Sequence, residues 1–160
     1  MSTQSQIIRI DRSTPFNPVA LLGAGWSIWR GPWNGTGLIG AEQNNSESLA
    51  LTEVDLARIV LKPSLEVGGA IVGGEEFLTQ LKNAKSLVLD AKVGQTLYEN
   101  PHLIPESWKG TWVNFMGTVL RNDRERRHVM CLLWNGRQWR YREFWLDYDF
   151  EACRPAAIYE

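Results

Sequence analysis

Residues 127–146 read Arg127-His-Val-Met-Cys-Leu-Leu-Trp-Asn-Gly-Arg-Gln-Trp-Arg-Tyr-Arg-Glu-Phe-Trp-Leu146. The dipeptide Asn135-Gly136 in the middle is typical of a two-residue β-hairpin turn, because both residues tolerate positive φ angles. The runs on either side are rich in apolar and aromatic residues, as strands are. With the similar run Thr111–Leu120, this stretch predicts a three-stranded antiparallel meander.

Two loop assignments predict the strand register. A two-residue loop at Asn135-Gly136 pairs Trp134 with Arg137 and His128 with Glu143, and a four-residue loop over 122–125 pairs Val119 with His128. Because side chains alternate along a strand, both registers predict the same two faces. The predicted core face carries Val113, Phe115, Val119, Met130, Leu132, Trp134, Trp139 and Tyr141. The opposite face mixes apolar and cationic residues, among them Trp112, Cys131, Arg140 and Arg142.

Two amphipathic segments precede the meander. Residues 75–84 and 91–99 place apolar side chains at helical spacing, and Asp90 is a suitable N-cap for the second segment. The sequence therefore predicts an α+β fold, an antiparallel sheet with a C-terminal three-stranded meander and two short helices packed on one face, that of Phe115, Leu132 and Trp139. Residues 1–18 are predicted as a partly ordered N-terminal tail, and residues 19–160 as a single α+β domain.

Composition excludes several classes of protein. The chain has 160 residues, a net charge of −1 and eight tryptophans, so it has no global charge bias towards nucleic acid or an anionic membrane. Cys131 and Cys153 lack the spacing of a metal site, and we expect neither a metal site nor a cofactor. No apolar run is long enough to span a membrane, and the first residues do not resemble a signal peptide, so we expect a cytoplasmic protein.

Arginine is concentrated in the meander, where residues 121–142 hold seven arginines against two acidic residues. Arginine binds phosphate and carboxylate groups and stacks on aromatic rings. Three interpretations stay open: an internal ion-pair network with Glu143, Asp147, Asp149 and Glu151, a protein partner, or RNA or single-stranded DNA. The candidate binding residues are Trp33, Trp112, Arg124, Arg126, Arg127, Arg140 and Arg142.

Candidate catalytic residues are few. His102 precedes Glu106 in a proline-flanked loop, and His128 faces Glu143 in the predicted register, so each pair could act in acid–base chemistry. A dyad of His128 with Cys131 is excluded locally, because residues three apart on a strand point to opposite faces. The motif Gly35-Thr-Gly-Leu-Ile-Gly40 lacks the preceding buried strand and the following helix of a dinucleotide site, and is interpreted as a glycine-rich turn.

Several stretches resemble a family of short, uncharacterised bacterial proteins. They include Gly25-Trp-Ser-Ile-Trp-Arg-Gly-Pro32, Asn100-Pro-His-Leu-Ile-Pro-Glu-Ser-Trp-Lys109 and Phe115-Met-Gly-Thr-Val-Leu-Arg121. The resemblance covers roughly residues 20–158. It implies a self-contained bacterial domain but brings no catalytic residue, cofactor or substrate.

The sequence favours a non-enzymatic macromolecule-binding module with another protein as partner, since aromatic and arginine side chains gather on one sheet. The first alternative is a small hydrolase-like enzyme that uses a His–carboxylate pair. The second is a nucleic-acid-binding domain that uses the arginine and tryptophan sheet face.

Overall fold

The computed structural model describes residues 6–31 and 42–160. Its strands are β1 (Ile7–Arg9), β2 (Ser27–Ile28), β3 (Glu53–Asp55), β4 (Ile59–Lys62), β5 (Leu87–Val88), β6 (Val113–Arg121), β7 (Arg127–Trp134), β8 (Trp139–Trp145) and β9 (Ala156–Tyr159). Its α-helices are α1 (Pro18–Leu22), α2 (Ser46–Leu49), α3 (Ser64–Gly68), α4 (Gly74–Asn83) and α5 (Ala91–Glu99). Short 3-10 turns lie at Leu56–Arg58, Pro101–Leu103 and Glu106–Trp108.

The main sheet has the strand order β4-β9-β6-β7-β8, with β2 paired to β6 and β5 paired to β9. Its pairings are antiparallel except that of β6 with β9, and β1 and β3 form a separate two-stranded sheet. The predicted α+β fold and the C-terminal meander β6-β7-β8 are therefore confirmed.

The hairpin between β7 and β8 has a wider loop than predicted. Trp134 pairs with Trp139, and His128 pairs with Trp145. The Oδ1 atom of Asn135 accepts hydrogen bonds from the backbone N–H groups of Arg137 and Gln138, at 3.0 and 2.9 Å, which holds a four-residue loop. The predicted pairing of His128 with Glu143 is therefore wrong, although an offset of two residues leaves the predicted faces of β7 and β8 unchanged.

A bulge in β6 changes the face of one predicted core residue. Phe115 pairs with Met130, but Leu120 pairs with His128, so the register shifts between them. Leu120 consequently packs in the core face that Val119 was predicted to occupy, and Val119 packs on the other side of the sheet. The bulged backbone is held by a distant segment, since Asn45 N–H donates to the Gly117 carbonyl and Val119 N–H donates to the Gln43 carbonyl.

Both faces of the central strands are buried. On one face, Val93 and Leu97 of α5 belong to the cluster that contains Phe115, Leu132 and Trp139. On the other face, Phe77 and Leu81 of α4 pack with Met116, Val129, Cys131 and Phe144. The expectation that both helices cover one face is thus corrected: β6 and β7 are apolar on both sides, and each side requires its own helix.

The N-terminal segment packs into the hydrophobic cluster to which α5 belongs. Ile8 and Ile10 are buried in the α5 cluster. Arg12 binds both carboxylate oxygens of Asp90, at 2.9 and 3.0 Å, and Asp90 also accepts from Ser48 and from the backbone N–H of Lys92 at the start of α5. Asp90 is 1% exposed, so loss of Arg12 would leave a buried carboxylate without its cationic partner, and breaking a buried ion pair in this way costs about 3–5 kcal/mol.

Candidate functional site

The face of the meander that carries Cys131 and Leu133 also bears a cationic surface. We call this surface the arginine face, and it consists of Trp112, Arg140, Arg142 and Arg154. Arg140 lies opposite Leu133, and Arg142 lies opposite Cys131. Because Val113 pairs with Leu132, Trp112 stands in the same cross-strand row as Leu133 and Arg140. The prediction placed Trp112, Arg140 and Arg142 on one face, and the strand pairing brings them together there.

Arg154 joins this surface from the segment before β9. Its guanidinium carbon lies 4.2 Å from the ring centroid of Trp112 and 4.0 Å from that of Phe144. Its Nη1 atom is buried and has no hydrogen-bond acceptor within the described ranges. Cation–π stacking of this kind fixes a guanidinium against aromatic rings. The sequence did not indicate Arg154 as a site residue, because it lies beyond the meander. Its contact with Trp112 is what places it on the arginine face.

The arginine face has no internal counterion in residues 6–31 and 42–160. Arg140 and Arg142 are exposed, and no described carboxylate lies within salt-bridge distance of either residue or of Arg154. In the same part of the chain no ion pair joins the meander arginines to Glu143, Asp147, Asp149 or Glu151. The internal network that the sequence left open therefore does not form with these four acidic residues.

The other arginines of the meander are dispersed. Arg121 pairs with Glu125 at 2.7 Å, and Arg126 stacks on Trp145 with its guanidinium carbon 4.7 Å from the ring centroid. Arg124 and Arg137 are exposed in the two loops. These positions spread around the ends of the hairpins, so they do not extend the arginine face as a continuous surface.

Arg127 is nearly buried and has a different environment. Its Nε atom lies 2.9 Å from a carboxylate oxygen of Glu75, and its Nη1 atom donates to Gln43 at 2.9 Å. Burial lowers the pKa of Arg127, and the neighbouring Glu75 only partly offsets this effect. Burial likewise raises the pKa of Glu75 above its ordinary value, against the influence of Arg127. Desolvation thus outweighs pairing on both partners, and this ion pair ties α4 to β7.

A cleft beside this ion pair was not predicted. It has a volume of about 590 Å³ and lies between the second half of α4 and the segment 42–47. Its lining includes the cations Lys82 and Lys85, the carboxylates Glu42 and Glu47, and the apolar side chain of Met116. Four parts of the chain that are separate in sequence build it, namely 42–47, 78–88, 116–119 and Arg127, so no local motif could have indicated it.

His102 and Glu106 line one cavity of about 540 Å³, together with Trp134 and Trp139. The Glu106 carboxylate lies 2.8 Å from the Nζ atom of Lys109, which in turn lies 3.9 Å from the ring centroid of Trp134. No hydrogen bond joins His102 to Glu106 among the described contacts. The structure therefore brings the predicted pair into one cavity but engages its carboxylate with a lysine.

His128 is half-buried at the far end of the meander. Its ring packs edge-on against Trp26 with a centroid distance of 5.0 Å, and its Nδ1 atom lies 3.2 Å from the Arg126 carbonyl oxygen. Burial lowers the pKa of His128, while the Arg126 carbonyl and the charge of Glu143 oppose this shift. Glu143 lies opposite Met130, so it is a diagonal neighbour of His128 and not its direct cross-strand partner.

The remaining candidates add no chemistry to these sites. Trp33 and the motif Gly35–Gly40 lie outside the described residues. Cys131 and Cys153 form no disulfide, and burial raises the pKa of Cys131 to about 12, so its thiol is protonated at neutral pH. In residues 6–31 and 42–160 no three metal-ligating side chains gather, and no helix has the length and apolarity needed to cross a bilayer.

No protein-family model, curated protein or solved structure matches the chain. The resemblance to short bacterial proteins stays a prediction from the quoted stretches of sequence. What the molecule could do follows from the geometry of the surfaces described above.

Proposed function

We propose that this chain is a cytoplasmic, non-enzymatic binding module whose arginine face recognises an acidic protein partner. One observation carries the proposal: Arg140 and Arg142 project from the face that carries Trp112 and its stacked Arg154, and no carboxylate of the described residues lies within salt-bridge distance of these arginines. Arginine and tryptophan are the residue types that contribute most to protein interfaces. A carboxylate offered by a partner would find the two exposed guanidinium groups of Arg140 and Arg142 on one face of β8, next to the stacked Arg154.

A protein partner fits this surface better than nucleic acid. The chain has a net charge of −1, and the arginine face is a local patch rather than a long cationic groove. Nucleic-acid binding draws most of its affinity from many phosphate contacts. Few of the other meander arginines extend the patch, since Arg121 and Arg127 have acidic partners and Arg126 stacks on Trp145.

The test compares two double variants with equal charge change. Arg140→Glu with Arg142→Glu reverses the arginine face, whereas Lys82→Glu with Arg124→Glu reverses two exposed cations elsewhere. The probe is a soluble peptide that contains five glutamates, titrated against each protein with tryptophan fluorescence as the signal. We expect the arginine-face variant to bind the peptide at least tenfold more weakly than the parent, and the control variant to bind within threefold of it.

Two outcomes would contradict this proposal. Equal weakening in both double variants would mean that the peptide responds only to overall charge. Tighter binding of a single-stranded oligonucleotide than of the acidic peptide, with a steep loss of affinity as salt increases, would assign the surface to nucleic acid instead.

A second candidate function is a small hydrolase-like activity, because His102 and Glu106 line the same cavity. In that function His102 would act as the general base. Hydrolysis of a p-nitrophenyl ester tests it, with His102→Ala as the variant and His128→Ala as the matched control. Turnover that is lost only in His102→Ala supports the enzyme, and turnover that neither substitution changes excludes it.

A further inference from the structure

Strand β8 forms one edge of the main sheet. It pairs with β7 on its inner side, and no described strand pairs with its outer side. An edge strand presents unpaired backbone N–H and C=O groups, to which another extended chain can bind. The backbone groups that point outwards from β8, and the charges around them, therefore determine which extended chain can bind to this edge.

The hydrogen bonds at the two ends of the hairpin identify the outward groups. Leu146 N–H donates to the Arg127 carbonyl, and Asn135 N–H donates to the Gln138 carbonyl. In an antiparallel ladder, alternate residues of a strand point their backbone groups towards the same neighbour. Even-numbered residues of β8 thus face β7, while Tyr141 and Glu143 direct their N–H and C=O groups away from the sheet.

The same edge carries the two exposed cations of the arginine face. Arg140 and Arg142 project on one side of β8, and Glu143 is exposed on the other side. If two copies of β8 paired antiparallel, a register centred on Tyr141 or on Arg142 would place arginine opposite arginine. A register centred on Glu143 would place glutamate opposite glutamate. Like charges directly opposite destabilise a strand pair, so these three registers disfavour a second copy of this chain.

We propose that the acidic partner binds by strand addition: an extended segment pairs antiparallel with the outer edge of β8 and places acidic residues at every second position. This inference rests on the proposed function and specifies its partner. The acidic residues lie opposite Arg140 and Arg142, on the arginine face. The intervening residues lie opposite Tyr141 and Glu143 and are uncharged, because Glu143 repels a carboxylate there. Recognition thus combines backbone hydrogen bonds with a two-residue charge pattern.

Three peptides of seven residues test the pattern. The first is acetyl-Thr-Glu-Val-Glu-Val-Glu-Thr-amide, the second has the same composition with its glutamates contiguous, and the third has lysine in place of glutamate. We expect the alternating peptide to bind at least tenfold more tightly than the contiguous one, and the lysine peptide not to bind. Equal affinity of the two acidic peptides would show that charge alone is recognised and would overturn strand addition.

Backbone methylation tests the hydrogen bonds without altering the protein. In the antiparallel arrangement the valine N–H groups of the peptide point at β8, and the glutamate N–H groups point to solvent. N-methylation of both valines should therefore weaken binding at least tenfold, while N-methylation of two glutamates should leave the dissociation constant within threefold. Equal sensitivity to the two methylations would overturn strand addition.

A pair of protein variants separates this inference from the function on which it rests. Glu143→Pro removes an outward N–H that takes no part in the β7 ladder, and Arg140→Glu with Arg142→Glu removes the charge. Strand addition predicts that both changes weaken binding of the alternating peptide. If only the arginine change weakens it and both methylated peptides bind alike, the acidic-partner function stands and strand addition is wrong. If no peptide binds the parent protein, both proposals are wrong.

Discussion

His128 is half-buried and packs against Trp26. The imidazole lies between Trp26 and β8, and the loss of water around it lowers its pKa from the ordinary value of 6.5. The folded protein therefore takes up a proton on this residue less readily than the unfolded chain does. Because the unfolded chain binds more protons below pH 6.5, acidification favours unfolding, and the contribution of a neutral His128 to stability is fully present only above that pH.

This environment predicts that the stability of the protein depends on pH, and that replacing His128 makes this dependence weaker. As the pH falls from 7.5 to 5.5, the free energy of unfolding of the parent should decrease more than that of His128→Phe, which keeps an aromatic ring against Trp26. Urea unfolding at several pH values measures both slopes. His102→Phe serves as the control for the loss of an exposed histidine. Identical slopes in the parent and in His128→Phe would contradict the prediction.

Single residues also show where sequence reasoning reaches its limit. Trp112, Arg140 and Arg142 could be placed on one face because strand alternation is a local property. Arg154 could not, since its contacts with Trp112 and Phe144 depend on how the chain returns before β9. Arg127 is a candidate binding residue on the sequence alone, but it is buried against Glu75 of α4, a tertiary contact that its own strand does not indicate.

Helix α5 lies so close to β6 that its glycine is required there. A Cβ atom on Gly94 would lie 2.7 Å from the Cδ2 atom of Phe115, whose ring is fully buried. Alanine would improve helix propensity by about 1 kcal/mol, whereas overpacking a filled core costs about 1–3 kcal/mol. The steric cost should prevail, because the Phe115 ring is fully buried within the core cluster.

We therefore predict that Gly94→Ala lowers the free energy of unfolding, by up to about 2 kcal/mol. Gly68→Ala is the matched control, since its new Cβ would meet only the end of the flexible Gln80 side chain. The Gly68→Ala protein should be as stable as the parent or slightly more stable. Urea unfolding measures the free energy of unfolding of both variants. A Gly94→Ala protein that is more stable than the parent would show that α5 can shift away from β6.

The strands illustrate which features of an element its own sequence specifies. The presence of β6, β7 and β8 and the faces of β7 and β8 follow from alternation, although β6 and β8 each begin two residues later than predicted. The helices at 74–83 and 91–99 follow from apolar spacing and the Asp90 cap. The hairpin register depends on the side chain of Asn135, and the bulge in β6 depends on segment 43–45. Neither interaction leaves a signal in the strand sequences themselves.

The whole molecule is organised around a sheet with two buried faces, and the N-terminal segment completes one of them. Ile8 is 5% exposed, whereas its neighbour Ile7 is 58% exposed. Both lie on β1, which pairs with β3, and Arg12 connects the same segment to Asp90. The composition could indicate a large core, but which residues of the first eighteen join it depends on the pairing of β1 with β3.

This arrangement predicts that the N-terminal segment and the sheet unfold together. Ile8→Ala should lower the free energy of unfolding by about 2–4 kcal/mol, as expected for the loss of a buried isoleucine side chain. Ile7→Ala removes the same atoms from an exposed position and should change stability by less than about 0.5 kcal/mol. Urea unfolding followed by far-ultraviolet circular dichroism and by tryptophan fluorescence should give coincident transitions in both variants, with only that of Ile8→Ala displaced to lower urea. Two separate transitions, or equal effects of the two substitutions, would mean that β1 docks on an already stable molecule and adds little to its stability.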